Sequence, residues 1–228
     1  MKEKNKNKMT REEMANSSVK SAVDSVYDLI MANAMFILFN IHILIFLLFF
    51  RPDNIAGYYL VMAVLSLNLL PSYTALYDTI RRHKDTKMKV VSLYIEGYRK
   101  GFKNSFIIGT AAAAIIFFSM FNSLFFFVQE MDTAYFSSQL GIFFTLFAAI
   151  AAVPALASGK NPLRTVLRKT KDDFFRLLLS AALAAFIIGA SVFIARYIIF
   201  TMIFGFSLAV KAQMTLLLKL PGSKVKNI

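Results

Sequence analysis

The sequence predicts an all-α polytopic membrane protein: a helical bundle of about six transmembrane helices with two amphipathic helices along its cytoplasmic surface. Hydrophobic residues make up 57% of the 228 positions, whereas soluble domains average about 45–50%. The excess falls in runs that reach or approach the roughly 20 residues needed to cross about 30 Å of hydrocarbon. These runs are 29–50, 54–77, 104–129, 133–159, 177–195 and 197–218. Only the last contains a charged residue, Lys211.

The distribution of positive charge predicts the orientation. The net charge is +13, and 23 of the 26 Lys and Arg residues lie before residue 29 or within 78–103, 159–176 and 219–228. Basic loops remain on the cytoplasmic side of a membrane. Both termini are therefore expected to be cytoplasmic, with the spans alternating between them. Such patterning favours the anionic head groups of a bilayer over nucleic acid as the partner of these charges.

The chain divides into three expected parts. Residues 1–28 are a cytoplasmic tail with an amphipathic leader helix, 29–220 form one six-span membrane domain, and 221–228 form a second cytoplasmic tail. Thr10 and Glu13 fit a capping box at the start of the leader helix. The leader is expected to merge with the first span.

Two prolines lie late in the second and fourth runs. A proline inside a helix removes one hydrogen bond, and in lipid the freed carbonyl must find a protein or water donor. Pro71 and Pro154 are therefore expected to be structural kinks. Prolines are also enriched in membrane helices for shape alone, so neither position by itself indicates a site.

A basic amphipathic stretch follows each proline-containing run, at 87–103 and 162–174. Their apolar residues recur with helical spacing, and their Lys and Arg residues are expected to face water. We expect these two helices either to dock a partner or to seat the protein on anionic lipid. The candidate docking residues are Tyr98, Arg99, Lys100, Phe102, Arg168 and Lys169.

Polar residues within the apolar runs are candidates for a binding site. Lys211 either faces a buried site or extends its ammonium group to the interface. Asn40 and His42 either bind a ligand or hydrogen-bond a neighbouring helix. His83 is expected to be solvated, and every carboxylate is expected to lie in a loop, an interfacial segment or the N-terminal tail. The sequence has no cysteine and no catalytic, metal or cofactor motif, so a non-enzymatic protein is expected.

Small residues spaced by four indicate where membrane helices touch. Gly109 with Ala113, Ala151 with Ala155, and Ala181 with Gly189 predict close packing among the third, fourth and fifth spans. The first span is rich in phenylalanine and is expected either to be peripheral and face lipid or to dock a partner.

The stretch LLPSYTALYDTIRRHKDTK resembles the YesL family of bacterial membrane proteins. The matching residues are Pro71, Thr74, Ala75, Leu76, Tyr77, Arg81 and Arg82. The late segment FGFSLAVKAQMTLLLKL is similar to that family's last helix. The resemblance implies the bacterial cytoplasmic membrane and an accessory or scaffold role in carbohydrate uptake, with sugar-import transporter components as partners. The residues leave open an alternative, a small solute carrier with a site at the membrane midplane.

Overall fold

The computed structural model describes residues 11–50, 54–83, 86, 88–157, 168, 173–193 and 201–219. The regular structure within these ranges is helical. The helices, in chain order, are α1 (Arg11–Phe39), α2 (Ile41–Phe49), α3 (Ile55–Ser66), α4 (Leu69–His83), α5 (Val90–Val128), α6 (Asp132–Leu156), α7 (Phe174–Phe193) and α8 (Phe206–Lys219). A π-helical segment, Thr201–Gly205, leads directly into α8.

The expectation of a helical membrane bundle is confirmed. Within the described ranges, four stretches are long and apolar enough to cross a membrane. They are Val19–Phe39, Ile55–His83, Val90–Val128 and Asp132–Leu156. Shorter apolar helices, Phe174–Ala190 and Ile203–Leu218, occupy the places of the fifth and sixth predicted spans.

The first span is built into the bundle, which corrects the expectation that it is peripheral. Helix α1 is continuous past residue 28, so the leader and the span are one helix. Ala32, Asn33 and Phe36 of α1 are buried, and α1 packs against α4, α5 and α8. The phenylalanines of this region therefore differ in burial: Phe36 is buried in the bundle, whereas Phe49 at the end of α2 is exposed.

The second span is two helices. Helix α3 ends at Ser66 and α4 begins at Leu69, so the helix is broken at Leu67 and Asn68. Every residue of α4 from Leu70 to Ile80 is buried, whereas no residue of α3 is. Helix α4 is therefore a central element, packed against α1, α5, α6 and α8.

A stripe of small residues seats α5 against α4. Its members are spaced by four and all are buried: Gly97, Gly101, Ser105, Gly109 and Ala113. A Cβ atom at Gly97 would lie 3.0 Å from an Asp78 carboxylate oxygen, and one at Gly109 would lie 3.3 Å from the Leu70 Cβ. The two helices run antiparallel, and the small side chains let their backbones approach closely.

The stripe also corrects the predicted surface helix at 87–103. Residues from Val90 onward belong to α5, which continues without a break to Val128. Val90, Leu93 and Tyr94 are buried at its start. The apolar face that suggested a membrane-surface helix is instead packed against protein. The other predicted surface helix, 162–174, lies outside the described residues except for Arg168 and the start of α7.

Packing among the later spans agrees in part with the small-residue pattern. Helix α6 packs against both α5 and α7, and Ala151, Ala155 and Ala181 are buried. Gly189 is exposed, and nothing lies within 4 Å of a Cβ atom built there. The predicted contact stripe on α7 is therefore wrong at its far end.

Candidate functional site

Two helix breaks face each other near the middle of the bundle. Asn40 interrupts the first span between α1 and α2, and Asn68 lies in the break of the second span. The Asn68 amide donates to the Phe39 carbonyl at 2.6 Å and to the Asn40 side-chain oxygen at 3.4 Å. The Tyr98 hydroxyl donates to the Asn68 side-chain oxygen at 2.5 Å. The Phe39 carbonyl, which the first break leaves without a helical N–H donor, thus accepts a hydrogen bond from Asn68 in the second break.

His42 and Asn33 likewise contact backbone groups at the ends of other helices. The His42 Nε2 lies 3.1 Å from the Leu65 carbonyl, which has lost its usual helical partner because the helix ends at Ser66. The Asn33 Oδ1 accepts from the Phe206 and Ser207 amides, both at 3.1 Å, where the π-helical segment gives way to α8. Asn40 and His42, two sequence-predicted binding candidates, thus both contact the second span, and the Asn40 amide also donates to the Phe36 carbonyl of α1 at 2.8 Å.

The two prolines differ in their effect. Pro71 lies in the first turn of α4, directly after the break. Backbone N–H groups in a first turn have no intrahelical acceptor, so the missing N–H of proline costs no helical hydrogen bond there. Pro154 lies inside α6, two residues before that helix ends. Its absent N–H would have bonded the Ile150 carbonyl, and the Gln213 amide donates to that carbonyl at 3.2 Å instead. Gln213 is fully buried, and no local pattern of residues predicts this pairing.

A large cavity lies among the membrane-spanning helices. Its volume is about 480 Å³, and α1 and α3 to α8 all contribute to its wall. One lining residue from each of these helices is Phe36, Tyr59, Tyr73, Ala112, Ala149, Ile188 and Phe206. The cavity is partly open to the surroundings of the bundle, which in a membrane are hydrocarbon, so lipid chains can reach it.

A buried ion-pair cluster closes the end of the bundle where α4 finishes and α5 starts, here called the charged end. The Asp78 carboxylate pairs with Arg81 at 2.8 Å and with Arg82 at 2.7 Å, and Arg82 also reaches Glu96 at 3.2 Å. Asp78 is only 4% exposed. Asp78 is therefore a buried carboxylate at the end of the second span, packed within protein rather than left in a solvated loop. The spacing of Asp78 three and four residues before the arginines is the sequence signal that identifies it.

A second polar group lies at the same end. The His83 Nε2 is 2.7 Å from the Asp28 carboxylate, which corrects the expectation that His83 is solvated. Lys211 is partly buried and lines a cavity of about 70 Å³ with Asp28, His83 and Thr79. Lys211 and the Asp28 carboxylate of α1 thus line the same small cavity. Among the described residues, no group of three or more His, Asp or Glu side chains is arranged to hold a metal ion.

The predicted docking residues occupy different environments. Tyr98 is partly buried and bonded to Asn68, so it belongs to the bundle. Arg99, Lys100 and Phe102 are exposed on α5, and Lys100 forms an ion pair with Glu96. Arg168 is exposed, and Lys169 lies outside the described residues.

The comparisons with known proteins give one match. The sequence model of a family described as "Protein of unknown function, DUF624" matches residues 29–123. This segment holds both helix breaks, α4 with Asp78, and most of α5. The chain is similar to that family over this segment, and the family's description assigns no function. No curated protein and no solved structure matches the chain.

Proposed function

We propose that the protein is a non-enzymatic accessory or scaffold component of the bacterial cytoplasmic membrane that binds a partner through the charged end of its bundle. The observation that carries this proposal is a basic and aromatic face left exposed on the first turns of α5. It comprises Arg99, Phe102, Lys103 and Phe106. The opposite face of these turns is fixed against α4, so the exposed side chains are held on a firm support.

The support is both steric and electrostatic. Gly97 and Gly101 place α5 in close contact with α4, and the Arg82–Glu96 ion pair links the two helices across the charged end. Side chains on a rigid support lose less conformational entropy on binding than side chains on a mobile segment. A fixed arrangement in which two positive charges alternate with two phenylalanines favours a partner surface with acidic and apolar groups.

The resemblance of Pro71, Thr74–Tyr77 and Arg81–Arg82 to the YesL family supports a role in carbohydrate uptake. The family-model match covers these residues. A component of a sugar-import transporter is accordingly the partner that we propose. Anionic lipid head groups are the second expected partner, since the charged end carries much of the positive charge.

The proposed orientation places the charged end and both termini in the cytoplasm. It rests on the charge asymmetry of the loops. In a chain without native cysteine, a cysteine introduced at Lys89 should react with a membrane-impermeant maleimide only after the inner face is opened. A cysteine at Thr133 should react in intact cells. The reverse pattern would overturn the orientation and the cytoplasmic docking surface with it.

The docking surface is tested by a charge-conserving exchange, Arg99→Lys with Lys100→Arg, and separately by Phe102→Ala. Docking depends on the planar fork of arginine, so the exchange should weaken co-purification of sugar-import components in mild detergent. Lipid seating depends on total charge and apolar area, so it would be unaffected. Phe118→Ala, on the same helix at an exposed position, is the matched control. Unchanged recovery of the same partners by both docking variants would refute the proposal.

The alternative, a small solute carrier with a midplane site, is favoured by the cavity and by the helix breaks beside it. Broken helices commonly border substrate sites in transporters. Lys211→Leu tests this alternative: a carrier that relies on Lys211 should lose uptake in proteoliposomes while remaining folded. Retained uptake would remove Lys211 from any such site, and absence of uptake by the unsubstituted protein would leave the accessory role.

A further inference from the structure

We propose that the central cavity binds a single hydrocarbon chain of the kind carried by phospholipids and isoprenoid lipids. The chain would come from the membrane leaflet at the end of the bundle opposite the charged end, where α3 begins and α5 turns into α6. This inference does not depend on the docking surface, and either could hold without the other.

The length of the cavity fits such a chain. Its wall on α5 runs from Gly109 to Met120, a distance of about 16 Å at 1.5 Å per residue. The hydrocarbon core of a bilayer is about 30 Å thick, so one leaflet contributes roughly 15 Å. The volume of about 480 Å³ also lies within the range of about 300–1,000 Å³ typical of ligand pockets.

The chemistry of the wall changes along its length. Phe36 closes the inner end, with its ring centroid 4.5 Å from that of Phe206 and 6.2 Å from that of Tyr73. At the other end, Tyr58 and Tyr59 line the cavity within the first two turns of α3. Tyrosines are favoured where hydrocarbon meets the head groups. The floor is aromatic, and the Tyr73 hydroxyl beside it has no hydrogen-bond partner among the described residues. The wall as a whole is predominantly apolar, and the tyrosine-lined outer end matches a lipid chain with its polar group outermost.

Water and sugars suit the cavity poorly. An ordered water needs two to four polar partners, and the side chains between floor and outer end are mostly aliphatic and aromatic, with Ser66 as a polar exception. A sugar would leave many hydroxyl groups without hydrogen bonds. Hydrocarbon chains need no such partners, and they surround the bundle at very high concentration.

Photolabelling of the unsubstituted protein tests the proposal directly. The protein is reconstituted in nanodiscs that contain either phosphatidylglycerol with a diazirine in its acyl chain or a diazirine-bearing isoprenoid alcohol. Labelled residues are then located by peptide mass spectrometry. We expect adducts at Met62 and Met120, which line the cavity, in addition to adducts at the exposed Phe144. The probe that labels Met62 and Met120 identifies the source of the chain.

Cavity-filling variants supply the matched comparison. Ala112→Phe and Ala149→Phe place rings in the cavity from α5 and α6. Ala111→Phe and Ala148→Phe add the same ring one residue earlier, at exposed positions. We expect the filling variants to lose labelling at Met62 and Met120 about tenfold, the effect of a 1.4 kcal/mol loss of affinity. The control variants should retain it.

Each outcome decides the proposal. Adducts confined to exposed positions such as Phe144 in the unsubstituted protein, with both probes, would overturn it without any variant. Equal labelling of Met62 and Met120 in the filling and control variants would overturn it as well. Loss restricted to the filling variants, with labelling of Phe144 unchanged, would establish the cavity as a hydrocarbon-chain site. The Phe144 adducts also report whether each variant is inserted.

Discussion

The two halves of the second span contrast sharply although they are consecutive in sequence. Helix α3 has no buried residue, while α4 is buried continuously from Leu70 to Ile80. The residues differ accordingly. Helix α3 is almost wholly apolar, whereas α4 includes Ser72, Thr74, Asp78 and Thr79. In lipid, the polar half is the one that must be surrounded by protein, and the apolar half is free to line a cavity or face the membrane.

The break at Leu67 and Asn68 makes this division possible. A straight helix would have to present one continuous face to the bundle. The break allows every face of α4 to be buried in the core, while α3 remains at the edge of the bundle beside the large cavity. Because Asn68 bonds across to the break at Asn40, the two interruptions support each other.

The largest expected effect comes from Asp78→Asn. The substitution leaves Arg81 and Arg82, each with a side chain 23% exposed, without a full negative charge between them. Removing one partner of a buried ion pair costs about 3–5 kcal/mol, and partial exposure of the arginines favours the lower value. Thermal unfolding in detergent should show a large fall in midpoint. Asp173→Asn, which breaks the more exposed pair with Arg176, should change it little; similar losses in both variants would contradict the special role of Asp78.

Gly97→Ala should have the next largest effect. Its Cβ would lie 3.0 Å from the Asp78 carboxylate and 3.3 Å from the Asp78 Cβ, so Asp78 or the α5 backbone must shift by a few tenths of an ångström, and the ion pairs of Asp78 resist this shift. Overpacking of this kind costs about 1–3 kcal/mol. Gly189→Ala, where the new atom meets nothing within 4 Å, should instead gain up to about 1 kcal/mol from helix propensity. Equal stability of the two variants would show that α5 is not closely packed on α4.

Asn68→Ala tests the joined helix breaks. It removes the donor to the Phe39 carbonyl and the acceptor for the Tyr98 hydroxyl. Unsatisfied buried groups cost about 1–3 kcal/mol each, but the neighbouring side chains can rearrange, so we expect about 2 kcal/mol in unfolding experiments. Asn122→Ala, at an exposed position of α5, is the control and should be neutral. A neutral Asn68→Ala would mean that the breaks are independent.

The smallest effect is expected for the pair formed by Gln213 and Pro154, tested in a double-mutant cycle. Gln213→Leu should cost about 1 kcal/mol because the Ile150 carbonyl loses its donor. In a Pro154→Ala background the new backbone N–H bonds that carbonyl, so the same substitution should cost almost nothing. Strict additivity of the two substitutions would indicate that they act separately.

The sequence predicted the membrane class and the places of the apolar helices because these follow from composition and run length. It also predicted that Asn40 and His42 either bind a ligand or bond another helix. Both contact the second span, and a ligand role stays a prediction. It missed the burial of Asp78, because a span defined as an uncharged run ends at Tyr77 and leaves the carboxylate in the segment that follows. It misread residues 90–103, because an apolar helical face has the same periodicity whether it packs on lipid or on protein. The cavity depends on how all the spans meet and has no local signature.

Site-directed spin labelling along residues 55–80 tests the division of the second span most directly. The chain has no cysteine, so single cysteines can be introduced and labelled in lipid bilayers without background. Collisions with oxygen dissolved in the lipid report which positions face it. The account predicts oxygen-accessible positions throughout α3 and uniformly low accessibility from Leu70 to Ile80. A single 3.6-residue periodicity of accessibility that continues unbroken through all of these positions would contradict it.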